Sequence, residues 1–223
     1  MKTSINFKAA KSDSEIHNFR KKSFDYIRKD LTHKNEYWME QKIADRLLKI
    51  EAFCKEKSGR KLQKNAMPVR EAVVVIKENT TMQDLHNLSK KLEEELNIRI
   101  FQIAIHKDEG HYDKDTKEWK PNYHAHLVAD WQDLQTGKTL KHQSFHYSKM
   151  QDLAAECLEM ERGISGSLVR LEAVEFKIKK KEEDLKILEE RYSQMQQEME
   201  SKRSEELIVK ESDFLGFQKI KTD

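Results

Sequence analysis

The chain has 223 residues, 37% of them charged and 37% hydrophobic, with only six glycines and two prolines. That balance suits one packed domain of roughly 150 residues with a helical appendage, and no apolar run approaches the roughly 18–20 residues that span a bilayer. The N-terminal MKTSINFKAAKSDSE has no apolar signal-peptide core, and Cys54 and Cys157 stand far apart, so a reduced, cytoplasmic protein without a disulfide framework is expected. The net charge of +2 hides an asymmetry: residues 1–70 hold 18 Lys and Arg against 9 Asp and Glu, and residues 150–200 hold 8 against 13. A basic first third points to a polyanionic partner, because neutralising phosphates releases counterions.

In chain order, INFKAAK reads as a first strand. Ser12 with Glu15 three residues on reads as a capping box that opens a helix carrying His17, Asn18 and Arg20. His17 and Arg20, at i and i+3, share a face of that helix. A second helix is expected from about Glu36 to Lys57, with Ile43, Leu47, Ile50 and Phe53 or Cys54 as its apolar stripe, ended by KSGRK. REAVVVIKE is short and β-branched and predicts a central strand. TTMQDLHNLSKKLEEELN predicts an amphipathic helix capped by Thr80 or Thr81. IRIFQIAIHKDE and NYHAHLVADW are the next strands, antiparallel neighbours across the polar link DKDTKEWKP. QTGK marks a turn and YSKMQDLAAECLEMERG a further helix. Strand, helix, strand, strand gives a layered α/β (α+β) domain with an antiparallel sheet flanked by helices.

Beyond Gly163 and Gly166 the pattern changes. Leu171, Ile178, Leu185, Tyr192 and Met199 recur at sevens, with Val174, Leu188 and Met195 three residues after the first, third and fourth, and Lys181 interrupting one slot. This a/d repeat predicts a coiled-coil arm over 166–211, pairing with a second copy or a partner protein. Residues 212–223 form a tail without an assignment, and 1–165 form the domain.

Three of the nine histidines converge on paper. Alternation along a strand puts His124 and His126 on one face about 7 Å apart, with Val128 and Asp130 continuing it and Tyr123, Ala125 and Leu127 opposite. On the preceding strand His106 is read as sharing a face with Ile98, Ile100 and Ala104. Antiparallel pairing then brings His106, His124 and His126 to one sheet mouth. Three neutral imidazoles suit a divalent transition metal and leave coordination positions open, as catalysis requires. Asp108 and Glu109 lie just beyond His106, where a carboxylate can orient a ligand or a reacting group. His111 is a loop neighbour, and His86, His142 and His146 read as structural.

The run HKDEG…PNYHAHLV resembles the metal-binding motif of HUH-type relaxases, in particular the MobV (Mob/Pre) mobilization family, whose pattern is His-x-Asp-Glu, then Pro, then His-x-His. His106, Asp108, Glu109, Pro121, His124 and His126 match it in order. HNFRKKSFDYIRKDLTHKNEYW is similar to the family's first motif: His17, Asn18 and Arg20 match one part, His33 and Asn35 the other. LEMERG looks like the mobilization proteins of Bacteroides-type elements. The likeness covers roughly residues 1–165. Fourteen residues separate Glu109 from His124, more than in the compact pattern, and Pro121 stands three before His124 instead of directly before it; a longer hairpin between paired strands accommodates both.

The resemblance implies a bacterial enzyme that nicks one strand of single-stranded or locally melted origin-of-transfer DNA and keeps the 5′ end covalently attached, starting plasmid or transposon mobilization. It implies Mn2+ or Mg2+ on His106, His124 and His126, His17 as nucleophile forming a phosphoramidate, and Arg20 and Glu109 as catalytic partners. In that scheme Arg20 binds phosphate or holds His17, and Asn18, His33 and Asn35 contact DNA. Tyr26 is the rival nucleophile and Tyr37 a weaker one. The alternatives are a rolling-circle replication initiator using tyrosine and a non-enzymatic DNA-binding accessory protein.

Overall fold

The structure is a computed structural model that describes residues 1–24, 26–113, 115–163, 178, 181–182 and 184–203. The chain divides into two units, Met1–Gly163 and Ile164–Asp223. Within the first, strands β1 (Lys2–Thr3) and β2 (Ile5–Ala9) lead into the short helix α1 (Ser14–Asn18) and a 3-10 turn at Lys29–Lys34. Then come β3 (Glu36–Met39), α2 (Ile43–Ser58), β4 (Val69–Val75), α3 (Met82–Leu96) and β5 (Arg99–His106). The hairpin strands β6 (Gly110–Tyr112) and β7 (Trp119–Pro121), β8 (His124–Asp130), α4 (Ser144–Cys157) and β9 (Glu161–Arg162) complete it.

β2, β4, β8, β5 and β3 form one five-stranded sheet in that order, and every neighbouring pair is antiparallel. The expected mixed α/β class, with a flanked antiparallel sheet, is the observed one. One face carries the main core, where Ala125, Leu127 and Ala129 of β8 meet α3 and α4. α3 follows from its sequence: Thr81 Oγ1 accepts from Asp84 N while Asp84 Oδ2 accepts from Thr81 N, a reciprocal cap. Leu85, Leu88, Leu92 and Leu96 form its buried stripe, each fully buried leucine contributing roughly 1.5–3 kcal/mol. The other face carries a smaller core of Ile50, Val69, Phe101 and Val128, with Ile43 and Leu47, under α2 at one end. At the other end it carries polar residues beneath α1.

Four local expectations change. Residues 36–39, read as the start of a helix, pair as an edge strand with β5 (Glu36↔Ile105 to Met39↔Gln102). α2 therefore begins at Ile43, and it ends on left-handed Gly59 as KSGRK suggested. The helix bearing His17 stops at Asn18, with Asp13 and not Ser12 at its N-cap. Glu15 serves α2 instead, accepting from Ile43 N and Gln102 Nε2, each at 2.7 Å. In β5 a bulge between Ile100 and Gln102 flips the alternation, so Ile98 and Ile100 join the main core while Gln102, Ala104 and His106 face the other way. The helix expected over 147–163 runs Ser144–Cys157, and Glu161 and Arg162 pair in parallel with Lys2 and Thr3.

The link between β5 and β8 folds on itself as the β6–β7 hairpin. Gly110 is obligatory there, since a Cβ would run into the Lys120 carbonyl oxygen and the Trp119 ring. In the second unit residues 184–203 are helical, and Leu185, Leu188, Tyr192, Met195 and Met199 on it are exposed. Leu171 and Val174, with 212–223, lie outside the described residues. No helix among the described residues is long and apolar enough to cross a membrane.

Candidate active site

The β5–β8 register sets His106 directly opposite His124, with Ala104 opposite His126. All three imidazoles are buried, and their rings sit 4.8–5.1 Å apart, centre to centre. Each commits one nitrogen to an outer acceptor. His106 Nε2 meets the Asn18 carbonyl at 2.9 Å, His124 Nδ1 the Asn122 carbonyl at 2.8 Å, and His126 Nδ1 the Glu71 carboxylate at 2.6 Å. Carbonyls and carboxylates only accept, so each of these ring nitrogens carries the proton. The inner nitrogens, His106 Nδ1, His124 Nε2 and His126 Nε2, are then bare lone pairs.

Burial, the largest influence, lowers the pKa of all three rings, so at neutral pH no proton is available to the inner nitrogens. Yet His106 Nδ1 and His124 Nε2 stand 3.3 Å apart, and His126 Nε2 is buried without a partner among the described residues. Two facing lone pairs and an orphaned third are the donor set of a cation. With His17 included, the four histidines offer ligand atoms within 4.8 Å of one another. The residues fit a divalent metal, and their second hydrogen bonds are the supports that metal-ligating imidazoles need.

His17 comes from α1, which lies over this face. Its ring is 5.1 Å from that of His106 and 5.0 Å from that of His126. Nε2 faces Glu109 Oε1 at 3.4 Å, and Nδ1 faces the Tyr26 hydroxyl at 3.3 Å. Its pKa is lowered to about 4, chiefly by burial, with His126, His106 and Arg20 adding to the effect and Glu109 opposing it. The ring is therefore neutral at pH 7. Unlike the other three it is a quarter exposed, so a substrate can reach it.

Arg20 lies beyond α1 at φ +49°, so a shared helical face does not explain its place beside His17. Its guanidinium donates to Asp108 (2.6 and 3.1 Å), to Glu109 (2.7 Å) and to the His17 carbonyl (3.0 Å). Of its two expected uses, the geometry fits holding His17; the fork is too fully engaged to take a phosphate. Asp108 is wholly buried and also accepts from Thr32 Oγ1 and Asn35 Nδ2. Asn35 thus anchors Asp108 from within the protein. His33 is exposed and hydrogen-bonds the Asp30 carbonyl of its own turn, away from the cluster. Asn18 is buried, gripping Glu71 through Nδ2 (2.8 Å) and His106 through its carbonyl. Glu109 stands against His17, His106 and His124, and the Arg20 guanidinium beside it holds its carboxyl below the usual carboxylate range despite burial.

His111 is exposed on β6. His86 packs on Trp38, and His142 packs on Trp131 while bonding the Leu96 carbonyl. His146 Nδ1 accepts from Gln143 N.

Glu71 went unread in the sequence. It is the hub of the site: Oε1 accepts from His126 and Asn18, and Oε2 from Ser14 Oγ at 2.5 Å. Its pKa is held at about 2 by these donors against desolvation. The signal was available, since a glutamate inside VREAVVV must find donors when buried.

No protein-family model matches the chain, and no curated protein does. Solved structures do match. Two are manganese-bound crystal structures, at pH 5.5 and 4.6, of the MobM relaxase domain (MOBV; Mob_Pre) on plasmid pMV158 oriT DNA. Each is 16% identical, with a TM-score of 0.55 over 75% of this chain and 93% and 94% of theirs. A third, with a 3′-thiophosphate on the DNA, is 15% identical with a TM-score of 0.54. The chain has the MobV relaxase-domain fold. Within this relaxase fold, the residues quoted for the family motif, His17, His106, Glu109, His124 and His126, meet at one point.

Replacing Glu71 with Gln should weaken binding of added Mn2+ by about tenfold, the lower end for losing a support of a ligating imidazole. Calorimetry on protein verified as folded by circular dichroism checks this; unchanged affinity would show that His126 does not depend on Glu71.

Proposed function

We propose that this protein is a DNA relaxase of the HUH type, a metal-dependent strand transferase that nicks one strand at an origin of transfer and stays attached to the 5′ end. One observation carries the reading: a neutral, reachable imidazole, His17, converges on three buried imidazoles with inward lone pairs, on a relaxase fold. The oriT DNA and manganese of the matched structures support single-stranded or locally melted DNA as substrate. The basic first third of the chain supports it too.

In this mechanism His17 Nε2 attacks the scissile phosphorus, its lone pair kept free while Nδ1–H is donated to the Tyr26 oxygen. The N–P bond forms as the P–O3′ bond breaks, the 3′ oxygen takes a proton from water, and the hydroxide left behind takes the Nδ1 proton, leaving the ring of the phosphoramidate neutral. Arg20 fixes the backbone of His17 through its carbonyl, and Glu109 holds the Arg20 guanidinium in that place. His106, His124 and His126 would hold the divalent ion, Mn2+ or Mg2+, which when bound polarises the non-bridging oxygens of the phosphate. Asn18 acts from behind, through Glu71 and His106, and not on DNA; we assign His33 and Asn35 no contact with the reacting phosphate. A tyrosine nucleophile, as in a rolling-circle initiator, is the second reading, because the Tyr26 hydroxyl is only 3.3 Å from His17.

We place the relaxase activity in residues 1–165 and read the heptad of 166–211 as a pairing seam. The exposed Leu185, Leu188, Tyr192, Met195 and Met199 support self-association or docking to a partner helix. Sedimentation of the full chain should show concentration-dependent dimerisation; a monomer at every concentration would leave the seam to a partner or to the chain itself.

Incubated with Mn2+ and supercoiled DNA of its own mobile element, the protein should yield nicked circles with protein on the 5′ end. His17→Ala should reduce the adduct to background, and Tyr26→Phe should retain it. The adduct should survive denaturant at neutral pH and break in mild acid, because protonated imidazole is a good leaving group. An acid-stable adduct that is lost in Tyr26→Phe would assign the chemistry to tyrosine.

A further inference from the structure

A groove of about 440 Å3 opens beside His17, within the range of roughly 300–1,000 Å3 that holds one small organic group. The antiparallel β2–β4 register sets Asn6 opposite Val73 and Lys8 opposite Glu71, and all four line the groove, as do Phe24 and Tyr26 from the segment after α1. Phe24 and Tyr26 stack on each other, centroids 5.5 Å apart and planes at 16°, and Phe24 lies 5.8 Å from the His17 ring. Tyr26 and Val73 are 47% and 44% exposed, a large apolar exposure for residues beside a buried polar cluster. The side chains of Asn6, Lys8 and Lys11 line the same groove with no hydrogen-bond or ion-pair partner among the described residues. Among the described residues Asp13 is the only carboxylate lining it besides Glu71.

We infer that this groove receives the unpaired base of the nucleotide next to the phosphate presented to His17, stacked on the Phe24–Tyr26 pair, with Lys8 and Lys11 on the flanking phosphates. The inference rests on the relaxase reading and names where its substrate strand lies. A base has two flat apolar faces and a polar edge. The groove offers a stacked aromatic wall for the former and, in Asn6, both a donor and an acceptor for the latter. Ammonium groups with no carboxylate partner among the described residues match a phosphodiester backbone. A base that stacks on Phe24 and Tyr26 has left its own stack and partner, so a duplex must be opened before its strand can reach His17.

The test is fluorescence anisotropy of the full chain with a labelled dT12 oligonucleotide in the absence of added metal, which separates binding from cleavage. Phe24→Leu should weaken binding between about fivefold and a hundredfold, the range for one lost stacking partner, while Phe24→Trp should bind as the parent does. The double variant K8A/K11A should reduce the slope of log affinity against log salt by about 1.4, at ~0.7 per single-strand phosphate. Lys90→Ala, exposed on α3, should change neither. Unchanged affinity in folded Phe24→Leu, no binding of dT12 by the parent protein at low salt, or equal affinity for a blunt duplex would each overturn the inference. The two readings fail separately. A covalent adduct with unaltered Phe24→Leu binding sinks the groove alone, and groove-dependent dT12 binding without any adduct sinks the relaxase reading alone.

Discussion

His106 faces His124 across the antiparallel β5–β8 pair, and the chemistry of the molecule depends on that register. Strand side chains alternate, so a slip of one residue would send His124 and His126 into the leucine-rich core and present Ala125 and Leu127 to α1. The register is strongly specified because both faces of β8 are buried. The main core selects Ala125, Leu127 and Ala129, and the site collects the residues between them. The bulge in β5 completes the arrangement. It lets Ile98 and Ile100 serve the main core while Gln102, Ala104 and His106 face α1, two demands that strict alternation cannot meet.

The second constraint is the attachment of α1, a helix of five residues with no side-chain cap and too short to be stable alone. It is held by polar contacts: Ser14 and Asn18 on Glu71, the Asn18 carbonyl on His106, and Arg20 from the His17 carbonyl to Asp108 and Glu109. The bonds that place His17 therefore share their partners with the bonds that orient His106 and His126. Buried and mutually satisfied, such a network fixes geometry more firmly than surface pairs would. It also leaves one edge of His17 open, towards the groove of Phe24, Tyr26 and Lys8.

Much of this was legible in the sequence, and the limits have physical causes. Period-two alternation located the three imidazoles on one face, and Thr80 or Thr81 ahead of an amphipathic run marked the start of α3, because both are local patterns. The edge strand at 36–39 was misread as helix since its identity comes from pairing with Ile103 and Ile105, a contact no local pattern announces. Arg20 was credited to helical spacing, whereas a left-handed backbone beyond the helix brings it in. Glu71 stayed hidden because a single acid in a strand does not say which of its two faces it takes, and its three partners come from α1 and β8. Family resemblance supplied what alternation could not, namely that His17 belongs with the other three.

In the proposed centre His106, His124 and His126 would turn three inner nitrogens on one divalent ion. The direct measurement is pulsed electron paramagnetic resonance of Mn2+ added to the protein at one equivalent per chain, which counts imidazole nitrogens bound to the ion. Three directly coordinated histidine nitrogens are expected, falling to two in His124→Ala. A spectrum of fully hydrated Mn2+ without nitrogen coupling would rule out this centre.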